Sequence, residues 1–349
     1  MPSKRSKITM SDIARESGLS LSTVSLALND KPGLPLETRL KVVNVARELG
    51  YPVRSPSAAR SASLHTIGML VKRSLGDDAP PSTNIFFSHV ISGIEAACRR
   101  ANISLMYSSL LVDAHNNTLE VPRLLQDNSV DGLLLVGNYV DEQLSEALQK
   151  RNIPTVLVDA YCCHGNYDSV LTENVEGAYM AIEYLIRKGH RHIAFIGSLP
   201  DTRLSFRYRR EGYDKALADF GIAERYYGDC PHNDREAIIA TTRDLLIANP
   251  QVTAMLGCND QAILMAMHGV LEAGKRIPED VSVVGFDNSS NAEIAIPPLT
   301  TMNIDKVSMG RLAVQLLISR AENPDQAPVT LYLHTHLVER ASVRDLRAP

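Results

Sequence analysis

The sequence predicts an α/β protein, with an N-terminal all-α helix-turn-helix headpiece ahead of a two-lobed body of doubly wound parallel sheets. Three observations predict it. Short helical patterns fill the chain before residue 50. From Thr66 onward, continuous apolar runs alternate with amphipathic stretches, as parallel strands do when helices cover both faces of their sheet. At 349 residues the chain is also too long for one ordinary domain.

In chain order, the first helix is predicted over Met10–Ser17. Thr9 supplies an N-cap, Asp12 answers it as an approximate capping box, Ile13 and Ala14 turn inward, and Gly18 stops the helix. The second covers Leu21–Leu28 behind the cap residue Ser20, with Val24, Ala27 and Leu28 on one face. The third covers about Leu36–Leu49, with Leu40, Val43, Ala46 and Leu49 aligned and Gly50 as its C′ residue. A helix, a turn of about three residues holding Gly18, then a second helix is the helix-turn-helix pattern, and the small Ala14 suits their close approach. Any small helical bundle satisfies the periodicity alone. The second helix is more telling. Ser20, Ser22, Thr23, Ser25 and Asn29 offer small hydrogen-bonding groups suited to phosphate oxygens and base edges, where a merely solvated helix would carry Lys and Glu.

In the body, strands are predicted at 66–71, 104–109, 132–137, 155–160, 192–197, 253–258 and 281–287. Helical patterns lie between them at His89–Arg100, Val175–Arg187, Arg235–Ala248 and Asp260–Ala273. So many strands over about 220 residues fit two doubly wound lobes better than one sheet.

Composition agrees. Hydrophobic residues at 44% and charged residues at 22% allow sizeable cores and exclude disorder, collagen and coiled coil as the main architecture. No apolar run approaches the ~18 residues of a membrane span, and the charged start MPSKRSKITMSDIARES lacks the apolar stretch of a secretory signal. Cys98, Cys162, Cys163, Cys230 and Cys258 are odd in number and show no CxxC spacing. That speaks against a disulfide framework and a zinc site, and for a reducing cytoplasm. The net charge of −4 is uneven, +5 over residues 1–65 and −9 beyond. A basic end on an acidic body suggests a nucleic-acid contact confined to that end; the plainer alternative is a solvated basic surface.

ITMSDIARESGLSLSTVSLALND followed by TRLKVVNVARELGY resembles the headpiece of the lactose/galactose repressor (LacI/GalR) family, with Thr9, Asp12, Ala14, Gly18, Ser20, Thr23, Val24, Ser25, Leu28, Asn29, Thr38, Arg39, Val42, Ala46, Leu49, Gly50 and Tyr51 on the family pattern. The resemblance implies DNA contacts at Thr9 and Tyr51. It puts Leu21, Ser22 and Leu26 at major-groove reading positions, and Ser20, Thr23, Ser25, Asn29 and Thr38 at phosphate positions. Two departures stand out. The usual cap of the third helix falls on Pro35, so Gly33-Leu34-Pro35 sets its first turn. In the hinge, PVRSPSAARSASLHT, the position that wedges a Leu into the minor groove falls on Ala59. Alanine is too small to prise a base step apart, so either DNA is bent less, the favoured reading, or Leu64 plays a part.

The body resembles the family's periplasmic-binding-protein-like sensor, two lobes around a ligand cleft, through NIFFSHVISGIEAACRR, RKGHRHIAFIG, RYRREGYDKAL, CNDQAILMAMHGVLEAGKRIPEDVSVVGFDN, IPPLTTMNID and HLVERASV. It departs at Asn84-Ile85-Phe86-Phe87, which lacks a proline, and in about eight extra residues over Gly76–Thr83 at the cleft mouth. The implied boundaries are a headpiece over 1–53, a hinge over 54–65 and a sensor over 66–349, with lobe one at about 66–165 and 303–328 and lobe two at about 166–302 and 329–349. Ligands of such folds sit at the carboxyl ends of strands. Asp159, Asn259 and Asp287 lie there, Arg209 is read as opening a helix, and Phe86 or Phe87 can stack on a sugar face. The resemblance places ligand residues on Arg209, Asp287, Asp159, Asn259 and Phe86; ion pairing, helix capping and core packing are the plainer alternatives.

Cys162-Cys163-His164 lacks a second ligand pair and reads as loop, His190 and His192 read as turn and surface residues, and no phosphate loop or GxSxG elbow occurs. No catalytic residue, metal or cofactor is therefore expected. The leading reading is a cytoplasmic repressor. It binds double-stranded operator DNA as a homodimer on a pseudo-palindrome, does not touch a membrane, and answers a small-molecule effector, a sugar. No leucine heptad follows Arg340-Ala341-Ser342, so a tetramer is not expected. A solute-binding transport protein would need a signal peptide and no headpiece, and an α/β enzyme would need a catalytic constellation.

Overall fold

The computed structural model describes residues 8–28, 34–49, 51, 64–74, 85–113, 117–127, 129–137, 139–162, 167–200 and 203–347. The chain divides into a unit ending at Ser63 and a unit beginning at Leu64.

The first unit holds α1 (Met10–Ser17), α2 (Leu21–Leu28) and α3 (Leu36–Glu48). The Asp12 carboxylate accepts from the backbone N–H and the hydroxyl of Thr9, at 3.0 and 2.8 Å. Gly18 ends α1 in the left-handed region at φ 68°, and its N–H donates to the Ala14 carbonyl. Ile13, Val24, Ala27, Val42 and Ala46 form a small core, with Ala14, Leu28, Leu49 and Tyr51 packed on it.

The second unit begins with β1 (Thr66–Ser74), α4 (Ile85–Arg100), β2 (Ser104–Val112), α5 (Arg123–Gln126), β3 (Gly132–Val136), β4 (Tyr139–Val140) and α6 (Glu142–Arg151). It continues with β5 (Thr155–Val158), β6 (Tyr161–Cys162), β7 (Asp168–Thr172), α7 (Asn174–Arg187), β8 (Ile193–Ile196), α8 (Leu204–Asp219) and β9 (Tyr226–Gly228). Then come α9 (Arg235–Ala248), β10 (Ala254–Gly257), α10 (Asp260–Glu272), β11 (Ser282–Asp287), α11 (Ser290–Ile294) and β12 (Thr300–Asn303). The last elements are α12 (Lys306–Glu322), β13 (Thr330–Leu333) and β14 (His336–Val338).

One sheet runs β13-β7-β5-β3-β1-β2, all parallel, and the other β14-β12-β11-β10-β8-β9, parallel except for β14; β4 and β6 pair separately. Every strand expected from an apolar run is present. Those the sequence concealed are short or polar. In β12 the fully buried Thr300 and Thr301 are tolerated because their hydroxyls are bonded: Thr300 accepts from the Arg340 N–H and Thr301 donates to Asp260.

The topology corrects the expected lobe limits. β7 and β13 both lie in the first sheet, so the chain crosses after Thr172 rather than near 165, and crosses back after Leu333 rather than near 328. β12 ends in the second sheet, and α12 packs on α4 of the first lobe. Several helix pairs meet through glycines. A Cβ at Gly93 would lie 2.1 Å from the Val307 carbonyl oxygen, one at Gly310 2.1 Å from that of Val90, and one at Gly212 2.1 Å from that of Val175. Leu64 is buried in the core of the body, and the backbone N–H groups of His65 and Thr66 are held by Asp131. Packed in this way, Leu64 is not the DNA wedge considered for it.

Candidate functional site

Two polar assemblies stand out, one on α2 and one between the lobes of the body. On α2, Ser20 caps the helix by accepting the Thr23 N–H at 3.1 Å, and its hydroxyl meets those of Ser22 and Thr23 at 2.7 and 2.8 Å. Leu21 is 52% exposed and Ser22 is exposed; Leu26 is half-buried and stands outside the core set. Thr23, Ser25 and Thr38 are half-buried. Thr9 is engaged by Asp12, and Tyr51 packs on the headpiece core while its N–H donates to the Ala46 carbonyl. Asn29 and Ala59 lie outside the described residues.

In the body the strand ends converge as the fold requires. Asp159 follows β5 at φ 47°, Cys258 and Asn259 follow β10, and Asp287 ends β11 at φ 117°. Backbones held in that region by non-glycine residues are a mark of functional sites. Arg209 joins this group, but from the middle of α8 rather than from a helix start. It is 4% exposed and its fork is fully directed. Nε donates to Asn174 Oδ1 at 2.8 Å, Nη1 donates to the Cys258 carbonyl at 2.6 Å, and Nη2 lies 3.2 Å from Asp287 Oδ1. The guanidinium also stacks 3.9 Å from the centre of the Phe286 ring.

Arg209 thus orders the site rather than merely lining it. The Asp287 Oδ1 atom, although near Arg209, receives no hydrogen bond among the described residues. The Asp159 carboxylate likewise has no hydrogen-bond or ion-pair partner among them. Burial pushes the Asp159 carboxyl up to about 6 against the pull of Arg209, and burial raises Asp287 as well, against Arg209 and Lys306. Asn259 spends its side-chain oxygen on the Ala262 N–H at 2.8 Å, capping α10, which is the plainer of its two readings. Phe86 is half-buried against the core, edge-on to the buried Phe87 with ring centres 5.3 Å apart.

Several residues here were not singled out in the sequence. Asn174, at the start of α7, holds Arg209 and also donates to Tyr161 at 3.2 Å. Lys306, 6% exposed where the chain passes from β12 to α12, donates to the carbonyls of Asp287, Asn288 and Ile304. Arg203 acts on the charges of Asp159 and Asp287, and Lys72 is affected in turn by Arg203. A lysine after the apolar run of β1 was the one readable signal; the rest needed the fold. Cys162 is half-buried, while Cys163, His164 and Gly76–Thr83 lie outside the described residues. His190, expected at a turn, is instead 1% exposed, bonded to Thr253 at 3.0 Å and to the Arg344 carbonyl at 3.1 Å. It locks the closing segment of the chain onto the second lobe.

Among the described residues no cluster of metal-ligating side chains occurs, and no helix is long and apolar enough to cross a membrane. Residues 9–52 match the family described as bacterial regulatory proteins, lacI family, and residues 182–343 match the periplasmic binding protein-like domain. The chain is 33% identical over 345 residues to the HTH-type transcriptional repressor PurR of Vibrio atlanticus (strain LGP32), covering 97% of this chain and 99% of that one. Among solved structures it resembles a complex of the transcriptional regulator CelR with cellobiose, at TM-score 0.68 and 28% identity over 96% of this chain and 99% of the other. It also resembles the lac repressor dimer bound to operator and the anti-inducer ONPF, at TM-score 0.66 and 25% identity over 97% and 99%.

Proposed function

The chain belongs to the lacI family of bacterial regulatory proteins, and from that membership we propose that it represses transcription as an operator-binding homodimer controlled by a sugar in the interlobe cleft. The observation that carries the reading is the pairing, in one chain, of two features. One is a helix-turn-helix whose second helix leaves Leu21 and Ser22 exposed; the other is a cleft whose carboxylates still have acceptors to give. One helix-turn-helix reads one half-site, so tight binding takes two copies on a two-fold site.

For the contact between copies we favour the edge of the first sheet, where β2 is the last strand and leaves Met106 and Tyr107 exposed. The cleft residues bind and orient; the reading assigns them no catalytic step and no cofactor. Sugar hydroxyls donate to Asp159 and Asp287, and an aromatic such as Phe86 or Tyr161 covers a sugar face. Because both lobes contribute, a ligand that contacts both favours one lobe arrangement and so changes operator affinity. The site of action is the cytoplasm, where operator DNA lies. An electrophoretic shift of promoter DNA by the purified full chain, with and without a panel of sugars, tests the reading. A sugar that moves the midpoint is the expected result; no shift with any DNA would refute it.

A further inference from the structure

Arg209 is committed to Asp287, Asn174 and a carbonyl, and Lys306 to three carbonyls. Two other cations of the cleft have no such commitment. Lys72 is only 9% exposed, and among the described residues it forms no hydrogen bond or ion pair. It lies in β1, one residue past Val71, the last that pairs with β3. Arg203, the residue ahead of the 16-residue α8, likewise makes no side-chain hydrogen bond or ion pair among the described residues. Lys72 belongs to the first lobe and Arg203 to the second, yet the charge of Arg203 acts on Lys72, and both act on His232.

His232 fixes where this pair stands. Its ring meets Phe206 edge-on at 4.9 Å, and Phe206 in turn lies 5.5 Å from the Arg209 guanidinium. Arg203, just ahead of the helix that carries Phe206 and Arg209, also feels the charges of Asp159, Asp287 and Arg209, and so adjoins the Arg209 site; Lys72 joins it through their shared effect on His232. Arg203 brings no capping oxygen to α8, so the positive end of that helix adds to theirs. An ammonium buried without a bonded counter-charge is costly; burial and the charge of Arg203 lower the Lys72 amine to about 7, and the more weakly acting Asp113 does not offset them. Beside these donors stand two carboxylates, Asp159 and Asp287, with acceptor capacity left over.

We propose that the cleft is built for an anionic sugar, whose hydroxyls donate to Asp159 and Asp287 and whose phosphate or carboxylate lies between Lys72 and Arg203. The proposal rests on the reading of the cleft as a sugar site and adds the charge of the ligand. It also supplies the device that couples binding to lobe closure. A neutral sugar leaves Lys72 facing the charge of Arg203 with no bonded anion of its own among the described residues. An anion between them turns that repulsion into two charge-assisted bonds, one from each lobe, available only when the lobes are together.

The test is calorimetric titration of the full chain with matched sets: glucose, glucose 6-phosphate and gluconate; ribose and ribose 5-phosphate; galactose and galacturonate. The charged member of at least one set should bind about tenfold or more tighter than its neutral parent, as charge-assisted bonds allow. Which member it is separates phosphate from carboxylate. Lys72→Met and Arg203→Gln should each bring the charged ligand down toward its parent, and Lys72→Arg should keep part of the advantage. Melting curves check that each variant is folded, and the two sites test the same point independently. If neutral parents bind as tightly as their charged derivatives, or the preference survives both substitutions, the anionic site is wrong and the sugar reading stands. If no member of any set binds or alters operator affinity, the sugar reading fails and takes the anionic site with it.

Discussion

At the scale of single residues, Arg209 is the point on which the cleft turns. Its partners come from three separate stretches of chain, and removing the guanidinium strands Asp287 as a buried charge. Arg209→Ala is therefore expected to destabilise the body by about 3–5 kcal/mol, measured by urea unfolding, as well as to abolish the effector response. Pairing it with Asp287→Asn should restore much of the stability and none of the response. Lys72 and Asp159 make a second prediction, in pH. The charged amine binds an anion, and the Lys72 amine is lowered to about 7, so anion affinity should fall as pH rises through that value. Asp159, at about 6, ionises at the low end of this range, which strengthens its hold on sugar hydroxyls while repelling an anion, so the charged sugar is compared with its neutral parent at each pH. His232, pushed down to about 3 by burial and by Arg203 and Lys72, stays neutral throughout; Asp113 opposes the lowering of Lys72. Titration of a charged sugar between about pH 6 and about pH 8 should show a loss of up to about tenfold per unit. A flat profile would remove Lys72 from the site.

Among the elements, α2 is built to present rather than to bury. Val24 and Ala27 face inward, leaving Leu21 and Leu26 off the core face, and neither leucine can hydrogen-bond a base edge. Apolar side chains in the major groove touch thymine methyls. Selection from random half-sites should therefore enrich thymine at the facing positions, each preference near the low end of about 1–3 kcal/mol, and Leu26→Ala should weaken one of them. Helix contacts in the body are governed by close approach instead. Gly93 and Gly310 let α4 and α12 meet backbone to backbone, with no flexible side chain to yield. Gly93→Ala should cost about 1–3 kcal/mol or more in unfolding free energy, while Gly221→Ala, with nothing within 4 Å but a left-handed φ of 67°, should cost only its backbone strain.

For the molecule as a whole, the passages between lobes matter most, because every conformational response must run through them. Lys306 sits at one passage and clasps the end of β11 through the carbonyls of Asp287 and Asn288. It thereby joins the ligand-side strand ends to the start of α12, a helix of the other lobe. Lys306→Met should leave sugar binding measurable but reduce the shift in operator affinity, which in coupled systems is about 1–3 kcal/mol. Paired calorimetry and gel-shift titrations check it; an undiminished shift would mean that the coupling runs elsewhere.

What the sequence determined by itself was local. The limits of α1 and α2 follow from Thr9, Ser20 and Gly18, because caps and a left-handed glycine act within one turn. The apolar strands were legible because a run buried on both faces has no polar positions to confuse it. β7, β12 and β13 were not, since Asp168, Thr300 and Thr301 look like loop residues until their partners are known. Asp168 can be buried because Arg320, 152 residues away, meets it at 2.6 and 2.9 Å and the Val329 N–H donates to it at 2.8 Å. The cleft divides in the same way. Arg209 and Asp287 could be named from the resembling segments, but their convergence with Asn174 and Cys258, and the approach of Lys72 to Arg203 from the opposite lobe, belong to the tertiary structure. Burial and the company of other charges decide what each of these groups does, and both depend on residues far apart in the chain.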